Sequence, residues 1–226
     1  MTRSFSFIFG LFVLLTLSTP KNSFSQDSTS FTCNSYPTSD HVLNEHIRSL
    51  VTVNSIFDSR MKTLFENITV ADQEVASSYI KTSNLALFDV FPQFNDAELA
   101  NSLSSFRDKY SIVWIKHCEL YPGIDSIQRR EEIKRITECA TGKIKLEEFE
   151  LLRLADDPCE TQRRNCIASV SAEAAVMHMG CAALDLSIIG GIICHGAAFA
   201  YQWTAGNNCN INAQLCREGR IKNTQH

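Results

Sequence analysis

Proline and glycine are scarce in this chain, five and nine among 226 residues. No segment alternates apolar with polar residues, and none carries a hairpin turn signal. A β-sandwich or barrel needs many such segments, so an all-β fold is excluded and an all-α fold is expected. Charge of one sign is nowhere concentrated: no block of five or six like charges occurs, and the formal net charge is −4. Binding to phosphates requires a concentrated basic surface, so no nucleic-acid partner is expected. The nucleophile motif GxSxG, the zinc motif HExxH and a phosphate-binding glycine loop are all missing. Neither enzymatic activity nor a cofactor is therefore expected, and no small-molecule substrate is evident.

The chain does carry an export signal. Arg3 is followed by an apolar run, Phe5 to Leu17, then by Pro20 and small residues at Ser23 and Ser25, the three-part layout of a signal peptide. The run is too short to span a bilayer comfortably, which takes about 20 residues. Residues 1–25 are expected to be removed near Ser25 and the mature protein secreted, extracellular or periplasmic. Loss of Arg3 and Lys21 takes the net charge from −4 to about −6. Residues 26–40 are rich in Ser and Thr without apolar periodicity and read as a linker.

From His41 the period becomes helical. Leu43, Ile47, Leu50, Phe57, Met61, Leu64 and Phe65 recur at steps of mostly three or four, the signature of an amphipathic helix. Val75, Tyr79 and Phe88 suggest another. Leu99, Leu103, Phe106 and Tyr110 form a stripe behind Asn95 or Asp96 as cap. "SIQRREEIKRITECATG" reads as a helix stopped by Gly142, followed by a short helix before "DDP". A helical domain over 41–155 is expected, followed by a cysteine-rich module over 157–226.

All nine cysteines lie beyond the signal, and exported cysteines in such number usually pair. Asp157 and Pro158 open a helix expected to reach about Leu186. Ser187, Gly190 and Gly191 allow a bend, and a second helix is expected from about Ile192 to Ala205, ended by Gly206, Asn207 and Asn208. The gaps between the last six cysteines are 6, 14, 12, 14 and 6 residues, the same read in either direction. Residues that face each other in an antiparallel hairpin have position numbers of constant sum. One fold-back therefore pairs Cys159 with Cys216, Cys166 with Cys209 and Cys181 with Cys194. Helix axes normally lie about 8–10 Å apart, whereas a disulfide brings Cα atoms to about 5.5–6 Å. The two helices must therefore approach closely, and small residues allow it: Val170 faces Ala205, Ala174 faces Tyr201, and Met177 faces Ala198. The expected architecture is thus all-α, an N-terminal helical domain followed by a disulfide-stapled antiparallel helical hairpin. Of the remaining cysteines, Cys33 is the candidate for a free thiol, and Cys118 with Cys139 could close a short loop. In number of bonds the module resembles saposin-like lipid-binding proteins; it lacks their opening pair of closely spaced cysteines, and no residue role is carried over.

Four features bear on function. His178, Cys181, Cys194 and His195 have the residue types of a zinc site, but adjacent Cys194 and His195 point about 100° apart on a helix, so a disulfide beside two histidines is expected instead. Ile192, Phe199 and Trp203 form an apolar stripe roughly opposite Cys194, to be covered by residues 41–155 or, as the sharper expectation, offered to a partner protein or a lipid surface. The charge-free stretch Leu186–Gly206 has the 21 residues of a membrane span, but Gly190, Gly191, His195 and Gln202 oppose a straight one. Asn67, Ile68 and Thr69 spell a glycosylation acceptor, of use only in a eukaryotic source. The expected function is that of a secreted, non-enzymatic, disulfide-stabilised helical protein that binds a partner. The alternative is the precursor of a membrane-active, bacteriocin-like toxin carried by the C-terminal module and released by cleavage near residues 143–157.

Overall fold

The computed structural model describes residues 33–151, 157–182 and 187–219. The expected signal peptide, its cleavage point and residues 183–186 at the centre of the expected bend lie outside these. The described residues form seven α-helices and one 3-10 turn, and no strand. In chain order they are α1 (His41–Glu66), α2 (Val70–Lys81), α3 (Ala86–Val90), the 3-10 turn (Pro92–Phe94), α4 (Ala97–Leu120), α5 (Ser126–Leu151), α6 (Pro158–Cys181) and α7 (Ile188–Arg217).

The helix starts follow local chemistry. Side chains of Asp40, Thr69, Asp96, Asp157 and Ser187 accept backbone N–H groups at the openings of α1, α2, α4, α6 and α7, satisfying donors that a helix leaves unpaired. Two expected helix ends are corrected. Gly142 does not stop a helix; it is buried inside α5, which runs on to Leu151, because α6 packs against α5 here and the small run Ala140, Thr141, Gly142 lets it come close. Likewise α7 passes Gly206 and continues to Arg217, because two disulfides hold its last turns to α6.

The hairpin is stapled in the order that the symmetric spacing predicts. Cys159 bonds Cys216, Cys166 bonds Cys209 and Cys181 bonds Cys194, with Cα atoms 5.7, 5.8 and 5.6 Å apart. Val170 and Ala205 are buried together between the upper rungs. Gly190 and Gly191 are not the bend itself: both are buried in the first turn of α7, where Gly190 N donates to Ser187 Oγ at 3.3 Å.

A fourth disulfide overturns two expectations. Cys33 is bonded to Cys139, 106 residues away, and the free thiol is Cys118. Nor are residues 33–40 a loose linker. Tyr36 is only 4 % exposed; its hydroxyl accepts from Arg48 Nε at 2.9 Å and its carbonyl accepts from Lys143 Nζ. Thr38 N donates to Asn44 Oδ1 at 2.8 Å. The segment is strapped across α1 and α5 by contacts that leave no periodic trace in the sequence.

The apolar stripe of α7 is also spent largely inside. Ile192 is 1 % and Phe199 4 % exposed, packed with Phe57, Met61, Phe65, Ile80, Phe94 and Leu103 from α1 to α4. As an open partner or lipid surface, Ile192 and Phe199 are therefore corrected to a face covered by the helical domain, because apolar area of this size is more stable away from water, while Trp203 packs partly buried at its edge. The approach is close: a Cβ on Gly196 would lie 3.4 Å from both Ile80 Cγ2 and Met61 Cε. Helices α1–α4 and α7 thus share one core. No described helix is long and apolar enough to cross a membrane.

Candidate functional site

Trp203, the last residue of the stripe, is only half-buried, and it marks where the covered face opens. Beside it α1, α6 and α7 line a groove of about 480 Å³. Helix α1 contributes Ser55, Asp58, Ser59, Lys62 and Glu66; α6 contributes Ile167, Val170 and Ser171; α7 contributes Phe199, Gln202, Trp203, Gly206, Asn207 and Asn210; and Lys145 reaches in from α5. Trp203 and the edge of the buried Phe199 thus lie among amides, hydroxyls and charges of both signs. Gln202 Nε2 donates to Ser171 Oγ at 3.2 Å, which ties α7 to α6 across the floor. A second depression, of about 590 Å³, is lined by residues 125–135 of the α5 start and its preceding turn alone, so it is a dent beside one helix rather than a site between several.

Below the groove lies a polar chain of three residues. Asp58 Oδ1, in the groove wall, is 3.2 Å from His178 Nε2, and His178 Nδ1 is 2.7 Å from His195 Nδ1. Both histidines are 1 % exposed. Phe57 and Phe106 hold the rings, Phe106 edge-on to His195 at 4.8 Å between centroids. Only one proton fits between the two Nδ1 atoms. One of these ring nitrogens therefore donates and the other accepts.

This geometry answers the zinc question on its own terms. Cys181 and Cys194 are bonded to each other and have no thiolate to offer. Two nitrogens on a tetrahedral zinc, each about 2.0–2.1 Å from it, would stand about 3.3 Å apart, wider than the 2.7 Å of this pair, which is a hydrogen-bond distance. Among the described residues no group of three or more His, Cys, Asp or Glu is placed to hold a metal. The histidine pair is instead a polar clasp joining α6 to α7, and Asp58 links it to α1.

Two further polar clusters stabilise the frame. At the open end of the hairpin, Glu160 takes Arg163 at 2.5 Å, Arg217 at 2.8 Å and Arg164 at 3.3 Å. The hydrogen bond from Arg163 is the main cause that holds its carboxyl down to about 2, against burial, with Arg164 adding to it. At the turn between α4 and α5, Arg129 donates to the carbonyls of Tyr121 and Ile124 and to His117 Nδ1 at 3.0 Å. Burial lowers the His117 pKa, opposed by Glu132 and aided by Arg129. A guanidinium only donates, so His117 Nδ1 accepts from Arg129 while Nε2 faces Glu132 at 3.2 Å.

Of the residues singled out from sequence, the structure brings Phe199 and Trp203 to the groove and buries Ile192 away from it. The six hairpin cysteines stiffen its far wall. Sequence reading missed Asp58, Ser171, Gln202 and Lys145. The one available signal was polar: Asn54 and Asp58, four apart, edge the apolar stripe of α1 beside Phe57 and Met61. No protein-family model, curated protein or solved structure matches this chain.

Proposed function

We propose that this chain is an exported, non-enzymatic binding protein that holds an extended segment of a partner protein in the groove between α1, α6 and α7. The carrying observation is Trp203, half-buried between hydrogen-bonding side chains on a wall locked by three disulfides. Tryptophan is enriched among the few residues that dominate binding energy, and a wall that does not reorganise lowers the entropy lost on association. Amides and hydroxyls on both sides suit the donors and acceptors of a peptide backbone. The four disulfides support an oxidising, non-cytosolic setting.

The groove chemistry favours a peptide over a lipid. Asp58, Lys62, Glu66 and Lys145 all line it, and charges in contact with acyl chains are costly. Release of a membrane-active C-terminal fragment is disfavoured for another reason. Cleavage would strip Ile192 and Phe199 of their partners on α1 to α4, exposing both sides of a core.

The test uses full-length oxidised protein carrying Trp114→Phe, so that Trp203 is the sole tryptophan. Peptides selected from a displayed library should change Trp203 emission on binding. Trp203→Ala, measured by titration calorimetry, should weaken them by about 2 kcal/mol, roughly 30-fold. An emission change with phospholipid vesicles and none with any selected peptide would overturn the reading.

A further inference from the structure

We propose that Asn67 is an N-glycosylation site, carrying an oligosaccharide on its side-chain nitrogen. Asn67-Ile68-Thr69 is the single Asn-x-Ser/Thr triplet in the 226 residues, and the fold leaves its asparagine exposed, where an attached sugar is accommodated. Asn67 caps the C-terminus of α1 with φ −87° and ψ 0°, in the short turn before α2. Its backbone N–H bonds back to Thr63 and Phe65, while its carboxamide bonds to none of the described residues. Ile68 packs against the core and anchors the turn. Asn67 and Thr69 on either side of it are exposed, so the triplet is pinned through its middle and open at both functional ends. Among the described residues, none hydrogen-bonds the atom that would carry the sugar.

The neighbouring surface is open. Glu66 and Thr69 are exposed, and Val70, three positions along, is 73 % exposed. A first sugar there has room, and it would shield an apolar side chain that the fold leaves bare. Compartment and chemistry agree: transfer to asparagine takes place in the oxidising secretory lumen where disulfides form. The donor is a polyprenyl diphosphate-linked oligosaccharide. A bond forms between Asn67 Nδ2 and the sugar C1 as the C1–O bond to the diphosphate breaks; Nδ2 gives up one proton and the lipid diphosphate leaves. The Thr69 hydroxyl is read in the unfolded chain. In the folded protein it accepts from Asp72 N at 3.2 Å and donates to Asp72 Oδ2 at 2.8 Å, capping α2.

The inference depends on export but not on the groove. The experiment expresses the full chain in eukaryotic secretory cells and measures intact mass in both lysate and medium. Measurements are made before and after digestion with an amidase that strips N-glycans and converts the acceptor Asn to Asp. One glycan per chain is expected, lost on digestion. Asn67→Gln and Thr69→Ala should abolish it and Thr69→Ser should retain it; because transfer precedes folding, these outcomes hold whether or not a variant folds well. An unmodified wild-type mass, or a digestible glycan that persists in Asn67→Gln, overturns the proposal. A secreted, disulfide-bonded, sugar-free chain would do so while leaving the peptide-binding reading standing.

Discussion

Glu160 shows how much one residue does at the open end of the hairpin. Its carboxylate bridges Arg163 and Arg164 on its own helix to Arg217 at the end of α7, while Asp157 takes Arg217 at 2.9 Å. Its pKa is about 2 in the folded protein, against an ordinary 4.5. A depressed carboxyl contributes stability that is fully present above the unfolded value and is lost as pH falls through the folded value. Glu160→Gln should therefore lower stability near neutrality by about 1.5 kcal/mol, the scale of a hydrogen bond to a charged group. The gap to the unsubstituted protein should shrink between pH 4.5 and about 2. Thermal melts of the two proteins across that range check it; a gap that does not change with pH would show that the carboxylate charge does not matter. His117 acts in the same direction at higher pH. Its lowered pKa means that folding disfavours the imidazolium, so the stability it contributes is present above the usual histidine range and falls on acidification below it.

At the scale of the element, the four disulfides are not equivalent. Cys33–Cys139 closes a separation of 106 residues, against 43 for the middle rung Cys166–Cys209. That rung also lies between two others, so with those intact its removal frees little additional chain. Loop-entropy reasoning gives about 4–5 kcal/mol for the long closure and about 2–3 kcal/mol for a short one. Replacing Cys33 and Cys139 by Ala should accordingly cost more than replacing Cys166 and Cys209. Denaturant unfolding of the two oxidised double variants decides it, and the reverse order would mean that strap and hairpin do not unfold as separate loops. The helices themselves are legible because each is a local matter: a cap, a stripe of period 3.6 and a length. Where reading failed, at Gly142 and Gly206, a local stop signal was overruled by a packed neighbour or by a disulfide beyond it, and tertiary contact outweighs a propensity of about 1 kcal/mol.

For the whole molecule, α7 is the element that makes one body of two expected parts. Its cysteine face is bonded to α6, and its Ile192 and Phe199 face is buried against α1 to α4. All nine cysteines fall within the described residues, and four bonds leave Cys118 as the only thiol. Protein denatured without reductant should therefore release one titratable thiol per chain, rising to nine after reduction. A count of three would indicate that Cys33 and Cys139 remain apart, and the strap over α1 and α5 would have to be withdrawn. What the amino-acid order settled unaided was the all-α class, the positions of most helices and the pairing of six cysteines. Those depend on spacing along one helix, or on a single fold-back in which facing positions keep a constant sum. What only the tertiary structure decided was the partner of Cys33, the clasp of Asp58, His178 and His195, and the groove beside Trp203. Each of these joins residues from separate elements, and the position of one helix against another is set by the packing of whole faces, which no short stretch of sequence encodes.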